Sequence, residues 1–225
     1  MTTCDSDSTH PAESTGRSVD SSDRGNPEVG SSPRLRLSVV LLNYNHARYL
    51  RQSIGAIIGQ SRLPDELIVI DDASTDDSAS IIESLLAGLP YATFLRNTAN
   101  LGVLGTARRG GEAATGEYLY FAAADDSVLP GFFEKSMRCL ESHPDVGLCC
   151  SYFSTLDDAT GEIAENPTRW CAETTRFSPE KLVQLPRFQG IPSHASIVKR
   201  SAFLKAGAFK PELRWQCDWF NSLVI

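Results

Sequence analysis

Short apolar runs alternate with segments of helical periodicity, and this alternation constrains the fold more than any other feature of the sequence. The apolar runs are rich in β-branched residues and leucine, as strands buried on both faces are. The pattern therefore predicts an α/β fold, a mainly parallel sheet with helices on both faces. The predicted strands are residues 34–44, 65–72, 91–97, 117–126 and 146–153. The predicted helices are residues 46–59, 78–89, 103–115 and 130–144.

Polar side chains follow three of these strands where each strand ends. Asn43 and Asn45 lie at the end of the first predicted strand. Asp71-Asp72 lies at the end of the second, and Asp125-Asp126 lies at the end of the fourth. Ligands of open α/β sheets bind beyond the carboxyl ends of the strands, where such residues meet. We therefore expect the functional site at this edge of the sheet.

Composition excludes several classes of partner. Acidic residues outnumber basic ones by 28 to 21, and the net charge of −7 argues against nucleic acid or anionic membrane as a partner. No apolar run approaches the roughly 18–20 residues of a membrane span, and the N-terminus lacks a secretory pattern. The six cysteines form no CxxC pair, so a disulfide framework or zinc site is not expected. We expect a soluble, cytoplasmic protein.

The first 34 residues differ from the rest in composition. Ser, Thr, Asp and Gly dominate residues 1–34, which contain almost no large apolar side chains. Such a segment buries too little surface to offset its ordering entropy. We expect a disordered tail over 1–34 and a globular domain over 35–225.

The two aspartate pairs suit different parts of a nucleotide: one suits the base or ribose, and the other a metal ion on the diphosphate. Asp71 or Asp72 could accept hydrogen bonds from a base N–H or a ribose hydroxyl; the alternative is a solvated loop that caps the next helix, with Asp76 and Asp77 in its first turn. Asp125-Asp126 suits Mg²⁺ or Mn²⁺ shared with diphosphate oxygens, and its alternative is a surface turn.

Two further segments carry candidate residues. Residues 100–118 are glycine-rich and include Arg108 and Arg109, but they match neither a P-loop nor GxGxxG. One arginine could face a diphosphate, or both could lie on a solvated helix face. Asp218 stands between two tryptophans, where a raised pKa would suit a general base; a solvent-facing aspartate is the alternative.

Taken together, SVVLLNYNHARYLRQSI, ELIVIDDASTDDS, NLGVLGTARRGG, GEYLYFAAADD and ASIVKRSAFLKAGAF resemble glycosyltransferase family 2. The resemblance covers about Leu35 to the last residues. It implies the Rossmann-like GT-A fold and inverting transfer of a sugar from a nucleotide diphosphate donor, usually UDP-linked, to an acceptor hydroxyl. It also implies a divalent metal, Mn²⁺ or Mg²⁺. The acceptor, whether glycan, lipid or small molecule, is left open.

The resemblance assigns roles residue by residue. Asp72 corresponds to the residue that recognises the nucleotide base. Asp125 corresponds to the last aspartate of the metal motif, with Asp126 beside it. Asp218 corresponds to the catalytic general base. The donor-nucleotide residues it implies are Tyr44, Asn45, Asp71, Asp72, Asn100, Gly102 and Arg108.

Two departures from the family pattern leave alternatives open. Ala123 occupies the first position of the usual DxDD metal motif, and the chain stops seven residues beyond Asp218, where relatives continue through further helices. We therefore expect a truncated catalytic domain. One alternative is a sugar-nucleotide-binding pseudoenzyme. A nucleotidyltransferase is less favoured because the first strand is not followed by a glycine-rich basic loop.

Overall fold

The computed structural model describes most of the predicted domain. Residues 1–33 and Asp218 lie outside the described residues, so the predicted tail and the predicted base stay predictions. The described residues are 34–165, 171, 173–178, 180–181, 184 and 193–209.

The strands and helices alternate as the apolar pattern predicts. Within the described ranges, no helix is long and apolar enough to cross a bilayer. The strands are β1 (Leu37–Asn43), β2 (Glu66–Asp71), β3 (Ala92–Arg96), β4 (Tyr118–Ala123), β5 (Leu148–Cys150), β6 (Ser154–Leu156), β7 (Ile163–Glu165) and β8 (Ser196–Lys199). The helices are α1 (Leu50–Ile58), α2 (Ser78–Leu86), α3 (Gly102–Ala113), α4 (Phe132–Ser142) and α5 (Arg200–Lys205).

Six of the described strands form a mainly parallel sheet in the order β3-β2-β1-β4-β8-β5. The pairs β3-β2, β2-β1 and β1-β4 are parallel, whereas β8 runs antiparallel to both β4 and β5. Strands β6 and β7 pair with each other in a separate hairpin. Because β8 is reversed, the residues that precede it lie at the carboxyl end of β4.

The sheet separates two hydrophobic clusters, which confirms helices on both faces. Alternate side chains of β1 point to opposite sides: Val39 and Leu41 belong to one cluster and Val40 to the other. The first cluster includes buried residues of α1, α2 and α4. The second includes Ala107 of α3 and Phe203 of α5.

The structure corrects the start of α1 and the position of two aspartates beside α2. α1 begins at Leu50 rather than at residue 46, because residues 44–49 form a loop whose Ala47 N–H donates to Asp76 Oδ2 at 3.0 Å. α2 begins at Ser78, with Asp77 as its N-cap and no acidic residue in its first turn. Asp76 and Asp77 therefore precede that helix. The Asp76 carboxylate accepts from the N–H of Ser78, the first residue of α2, through Oδ1 at 3.0 Å. Its Oδ2 binds the β1 loop, a long-range contact that local propensity does not contain.

The predicted strand over 146–153 is also shorter in the structure, where only Leu148–Cys150 is extended and paired. The Ser151 N–H still donates to Ala195 O at 2.9 Å, after which the chain turns away towards β6. A partner strand only four residues long, β8, limits how far this strand can pair.

Gly110 lets α3 lie close against the sheet. A Cβ on Gly110 would lie 2.3 Å from Val40 Cγ1 and 3.0 Å from Ile70 Cδ1. We expect Gly110→Ala to lower the free energy of unfolding by about 1–3 kcal/mol through overpacking. The matched control is Gly55→Ala in α1, where a Cβ meets nothing within 4 Å; removing that helical glycine should add about 0.5–1 kcal/mol. Urea denaturation of both variants measures the difference, and equal effects would contradict the close approach.

Candidate active site

The carboxyl ends of β1, β2 and β4 lie side by side. Asn43 of β1 is level with Asp71 of β2, and Leu42 is level with Ala123 of β4. The residues that follow these strands therefore share one edge of the sheet. At this edge the structure brings together the predicted residues Asn45, Asp71, Asp72 and Asp125.

Asp71 is fully buried, and both of its carboxylate oxygens have partners inside the protein. Oδ1 accepts from Asn43 Nδ2 at 2.8 Å. Oδ2 accepts from the Ser74 N–H at 3.2 Å and pairs with Arg96 Nε at 3.3 Å. Asp71 thus joins the ends of β1, β2 and β3 to the loop that follows β2.

Asp72 is 3% exposed, but its two oxygens differ. Oδ1 accepts from Asn97 Nδ2 at 2.6 Å and from the Leu101 N–H at 2.8 Å. None of the described residues donates a hydrogen bond to Oδ2. The carboxylate is therefore held in one orientation by its first oxygen and offers the second as an acceptor.

The loop after β1 is fixed by Asn45 and leaves Tyr44 open to solvent. Asn45 has a left-handed φ of 55°, its N–H donates to Ser74 Oγ at 2.9 Å, and its Oδ1 accepts from the Thr75 N–H at 2.8 Å. Tyr44 is 45% exposed. Its ring is thus available at the same edge, whereas the side chain of Asn45 is used to hold two loops together.

The glycine-rich segment forms the start of α3 beside Asp72. The Asn100 side chain accepts from the N–H of Gly102, whose φ of 72° is left-handed. Arg108 pairs with Glu112 at 2.9 Å on the exposed helix surface. Arg109, one residue later, donates instead to the side-chain oxygen of Asn97. The structure therefore places Arg109 closer to Asp72's partners, and Arg108 as a nucleotide contact remains a prediction.

The two carboxylates after β4 have different surroundings. Asp125 is exposed, and its Oδ1 lies 3.8 Å from His46 Nδ1. Asp126 lines a small crevice with Ser53 and Tyr120. Partial burial raises the pKa of Asp126 above its ordinary value; His194 opposes this shift, and the negative charge of Asp125 adds to it.

The donor set fits a metal ion that takes most of its ligands from a substrate. No three His, Cys, Asp or Glu side chains of the described ranges converge in a metal cage. Mg²⁺ and related hard cations, however, are commonly held by one or two carboxylates plus substrate phosphates and water. The exposed Asp125 carboxylate, with Asp126 adjacent, has the right chemistry for such a site.

The structure adds residues that sequence reasoning did not select. Asn97, directly after β3, holds Asp72, and Ser74 connects the loops after β1 and β2. Asn43, which the sequence already placed at the end of the first strand, is buried, and its side-chain oxygen has no hydrogen-bond partner among the described residues. The sequence did contain a signal for Asn97, because, like the aspartates, it is a polar residue at the end of an apolar strand.

Comparison with known proteins agrees with this architecture. Residues 38–206 match the family model described as glycosyl transferase family 2. The chain is 36% identical over 200 residues to the glycosyltransferase YibD of Escherichia coli, covering 84% of this chain and 57% of YibD. It is 33% identical over 114 residues to the glycosyltransferase alr2836 of Nostoc, covering 51% of this chain and 35% of alr2836. The chain thus spans about a third to three fifths of these two relatives.

Solved structures share the fold. Staphylococcus aureus TarS 1-349 superposes with a TM-score of 0.70 at 18% identity, covering 84% of this chain and 56% of TarS 1-349; the same protein is known in complex with UDP-GlcNAc. Mannosyltransferase PcManGT of Pyrobaculum calidifontis superposes with a TM-score of 0.60 at 19% identity, covering 83% of this chain and 50% of PcManGT. That structure is a complex with GDP-Man and Mn²⁺. These likenesses confirm the predicted GT-A fold. Since the family model covers most of the domain, the chain belongs to glycosyltransferase family 2.

Proposed function

We propose that the chain carries the donor-binding part of an inverting, metal-assisted glycosyltransferase that uses a nucleoside diphosphate sugar. UDP is the proposed nucleotide, Mn²⁺ or Mg²⁺ the proposed metal, and an acceptor hydroxyl of a glycan, lipid or small molecule the proposed second substrate. Relatives that bind UDP-GlcNAc or GDP-Man support a nucleotide sugar as donor.

The oriented carboxylate of Asp72 carries the proposal. Its Oδ1 is occupied by Asn97 and Leu101, so its Oδ2 is the atom available to a ligand. A carboxylate oxygen accepts only, which suits the N–H of a base such as uracil. Asn43 adds a second buried acceptor nearby, since its main-chain oxygen accepts from the Asp72 N–H and its Oδ1 has no partner among the described residues.

The diphosphate of the donor would extend from Asp72 towards the end of β4. Tyr44 would lie against the base or ribose, with Asn45 holding its loop, and Asn100, Gly102 and Arg108 would complete the nucleotide side. Asp125 or Asp126 would hold the divalent ion. When bound, that ion neutralises the charge that grows on the departing diphosphate.

Asp218 is the proposed general base, on the strength of its sequence context. It would accept the proton of the acceptor hydroxyl as the hydroxyl oxygen attacks the anomeric carbon. The bond to the diphosphate oxygen breaks on the opposite side of that carbon, so the configuration inverts. Transfer thus needs Asp218 in the charged form while Asp72 holds the nucleotide in place.

A second candidate function is nucleotide-sugar binding without transfer. Ala123 favours it, because the first carboxylate of the usual metal motif is missing.

We propose the cytoplasm as the compartment of this protein. The described cysteines Cys139, Cys149, Cys150 and Cys171 are all free thiols, in keeping with a reducing environment.

Calorimetric titration of UDP into the folded chain, with and without Mn²⁺, tests the proposed function. We expect binding that is at least about tenfold tighter with Mn²⁺, because a divalent cation held by Asp125 would offset the negative charge of the diphosphate. Metal-independent binding would favour the second candidate. A folded chain that binds neither UDP nor GDP would contradict both.

Asp125→Ala should remove the effect of Mn²⁺ on UDP binding and leave the weaker metal-independent binding. The physical reason is that an exposed carboxylate is replaced by a methyl group that cannot ligate a cation. Asp145→Ala is the matched control, since Asp145 is also exposed and precedes β5 at the opposite edge of the sheet. Retention of the full Mn²⁺ effect in Asp125→Ala would remove Asp125 from the metal site.

A further inference from the structure

We infer that His46 is the second protein ligand of the donor-bound metal ion and takes the role of the carboxylate that is missing at Ala123. The inference rests on the proposed function, since it concerns the metal that would accompany the nucleotide sugar. It assigns a role to a residue of the β1 loop, outside the segment that carries Asp125 and Asp126.

The distance between His46 and Asp125 fits a shared cation better than a direct contact. His46 Nδ1 lies 3.8 Å from Asp125 Oδ1, too far for an N–H···O hydrogen bond, whose heavy atoms lie about 2.7–3.2 Å apart. Octahedral ligands at about 2.1 Å from an ion are about 3.0 Å apart when adjacent and about 4.2 Å apart when opposite. The observed gap lies between these values, so a small adjustment brings both atoms to one ion.

Both side chains are accessible to solvent and therefore to a ligand. The His46 side chain is 40% exposed and that of Asp125 48% exposed. With two protein ligands, the remaining positions stay open to phosphate oxygens and water, the arrangement usual for nucleotide-bound Mg²⁺.

The loop that carries His46 is already held in shape. Asn45 is bound to Ser74 and Thr75, and the Ala47 N–H donates to Asp76. The His46 ring packs edge-on against Tyr49, with 5.8 Å between ring centroids. Hydrogen bonds and packing on both sides of His46 thus fix its position before any ligand arrives, as a first-sphere ligand requires.

Tyr49 is itself anchored. Its hydroxyl donates to Asp158 Oδ2 at 2.8 Å, and the Arg48 guanidinium lies over its ring at 4.3 Å from the centroid. Asp158 lies between β6 and β7. The ring against which His46 packs is therefore held from the hairpin side as well as from α1.

His194 is the rival imidazole at this edge. It precedes β8 and influences the pKa of Asp126, but its ring packs against Phe153 with centroids 4.5 Å apart. Within the described part of the chain, no carboxylate oxygen lies within 4.0 Å of its ring nitrogens, whereas His46 has Asp125. The geometry therefore favours His46 and makes His194 the matched control.

The experiment is electron spin echo envelope modulation of Mn²⁺ bound to the full chain with UDP. A coordinated imidazole gives a ¹⁴N modulation, and labelling the histidines with ¹⁵N changes it. We expect this signal in the parent protein and in His194→Ala, and its loss in His46→Ala and His46→Gln. Mn²⁺ affinity in the presence of UDP, titrated by continuous-wave spectra, should fall at least about tenfold in His46→Ala.

Each other outcome overturns the inference. Bound Mn²⁺ without a histidine signal would leave the donor site intact and exclude His46 as a ligand. A signal that disappears in His194→Ala and persists in His46→Ala would assign the ligand to His194. Absence of any Mn²⁺ binding with UDP or GDP would overturn the proposed function together with this inference. Thermal melts of the variants check that each is folded, and His46→Gln preserves side-chain volume if His46→Ala does not fold.

Discussion

Asp218→Asn should lower sugar transfer about 10²–10⁴-fold while nucleotide binding stays within about twofold of the parent. An amide of the same shape cannot accept the proton of the acceptor hydroxyl, so the chemical step is lost. In the proposed function, the nucleotide is held by residues at the ends of β1, β2 and β4, so its binding should not respond. Once titration has identified a donor nucleotide, transfer is measured as release of the nucleoside diphosphate from its sugar conjugates with a panel of acceptors.

Asp145→Asn is the control for this substitution. Asp145 forms an exposed pair with Arg176, and such pairs contribute little to stability, so neither binding nor transfer should change. A parallel loss of binding and transfer in Asp218→Asn would contradict the assignment of a base. Binding without release by the parent chain itself would support the second candidate function.

Asp71→Asn and Asp72→Asn should have opposite consequences although the residues are adjacent and the substitutions identical. In Asp71, both oxygens accept hydrogen bonds, so either orientation of the new amide places its NH₂ group against Asn43 or against Ser74 and Arg96. We expect Asp71→Asn to lower the free energy of unfolding by about 2–4 kcal/mol, because buried donors lose their acceptor.

In Asp72, only Oδ1 is occupied by donors, Asn97 and Leu101. In the Asp72→Asn variant, the amide oxygen would take the Oδ1 position and accept from the same two donors. The NH₂ group would then replace Oδ2 and oppose the N–H of a bound base. We expect stability to change by about 1 kcal/mol or less and UDP affinity to fall about tenfold or more.

Urea denaturation and UDP calorimetry on both variants separate the two roles. The contradicting result is the reverse pattern, in which Asp72→Asn unfolds the domain and Asp71→Asn, still folded, loses UDP binding. Equal losses of stability in both would mean that the pair acts as one structural unit, which would remove the support for nucleotide recognition by Asp72.

The regular elements were predictable because their signals are local. Buried strands and amphipathic helices repeat apolar residues at periods set by backbone geometry, and the observed β1 and α4 fall within their predicted segments. Errors occurred where a long-range contact prevails over propensity. The predicted start of α1 at residue 46 is such an error, because Asp76 holds Ala47 in the loop after β1.

The sequence by itself determined the order of strands and helices, and with it the sheet edge on which the acidic pairs lie. Only the tertiary structure decided which carboxylate oxygens remain open to a ligand. Asp71 and Asp72 are chemically identical neighbours, but Arg96, Asn97 and Leu101, from β3 and the start of α3, bind them differently. Likewise, His46 and Asp125 are far apart in the chain and become neighbours because β1 pairs with β4. Hydrogen bonding and ion coordination depend on distances between such segments, which periodicity does not encode.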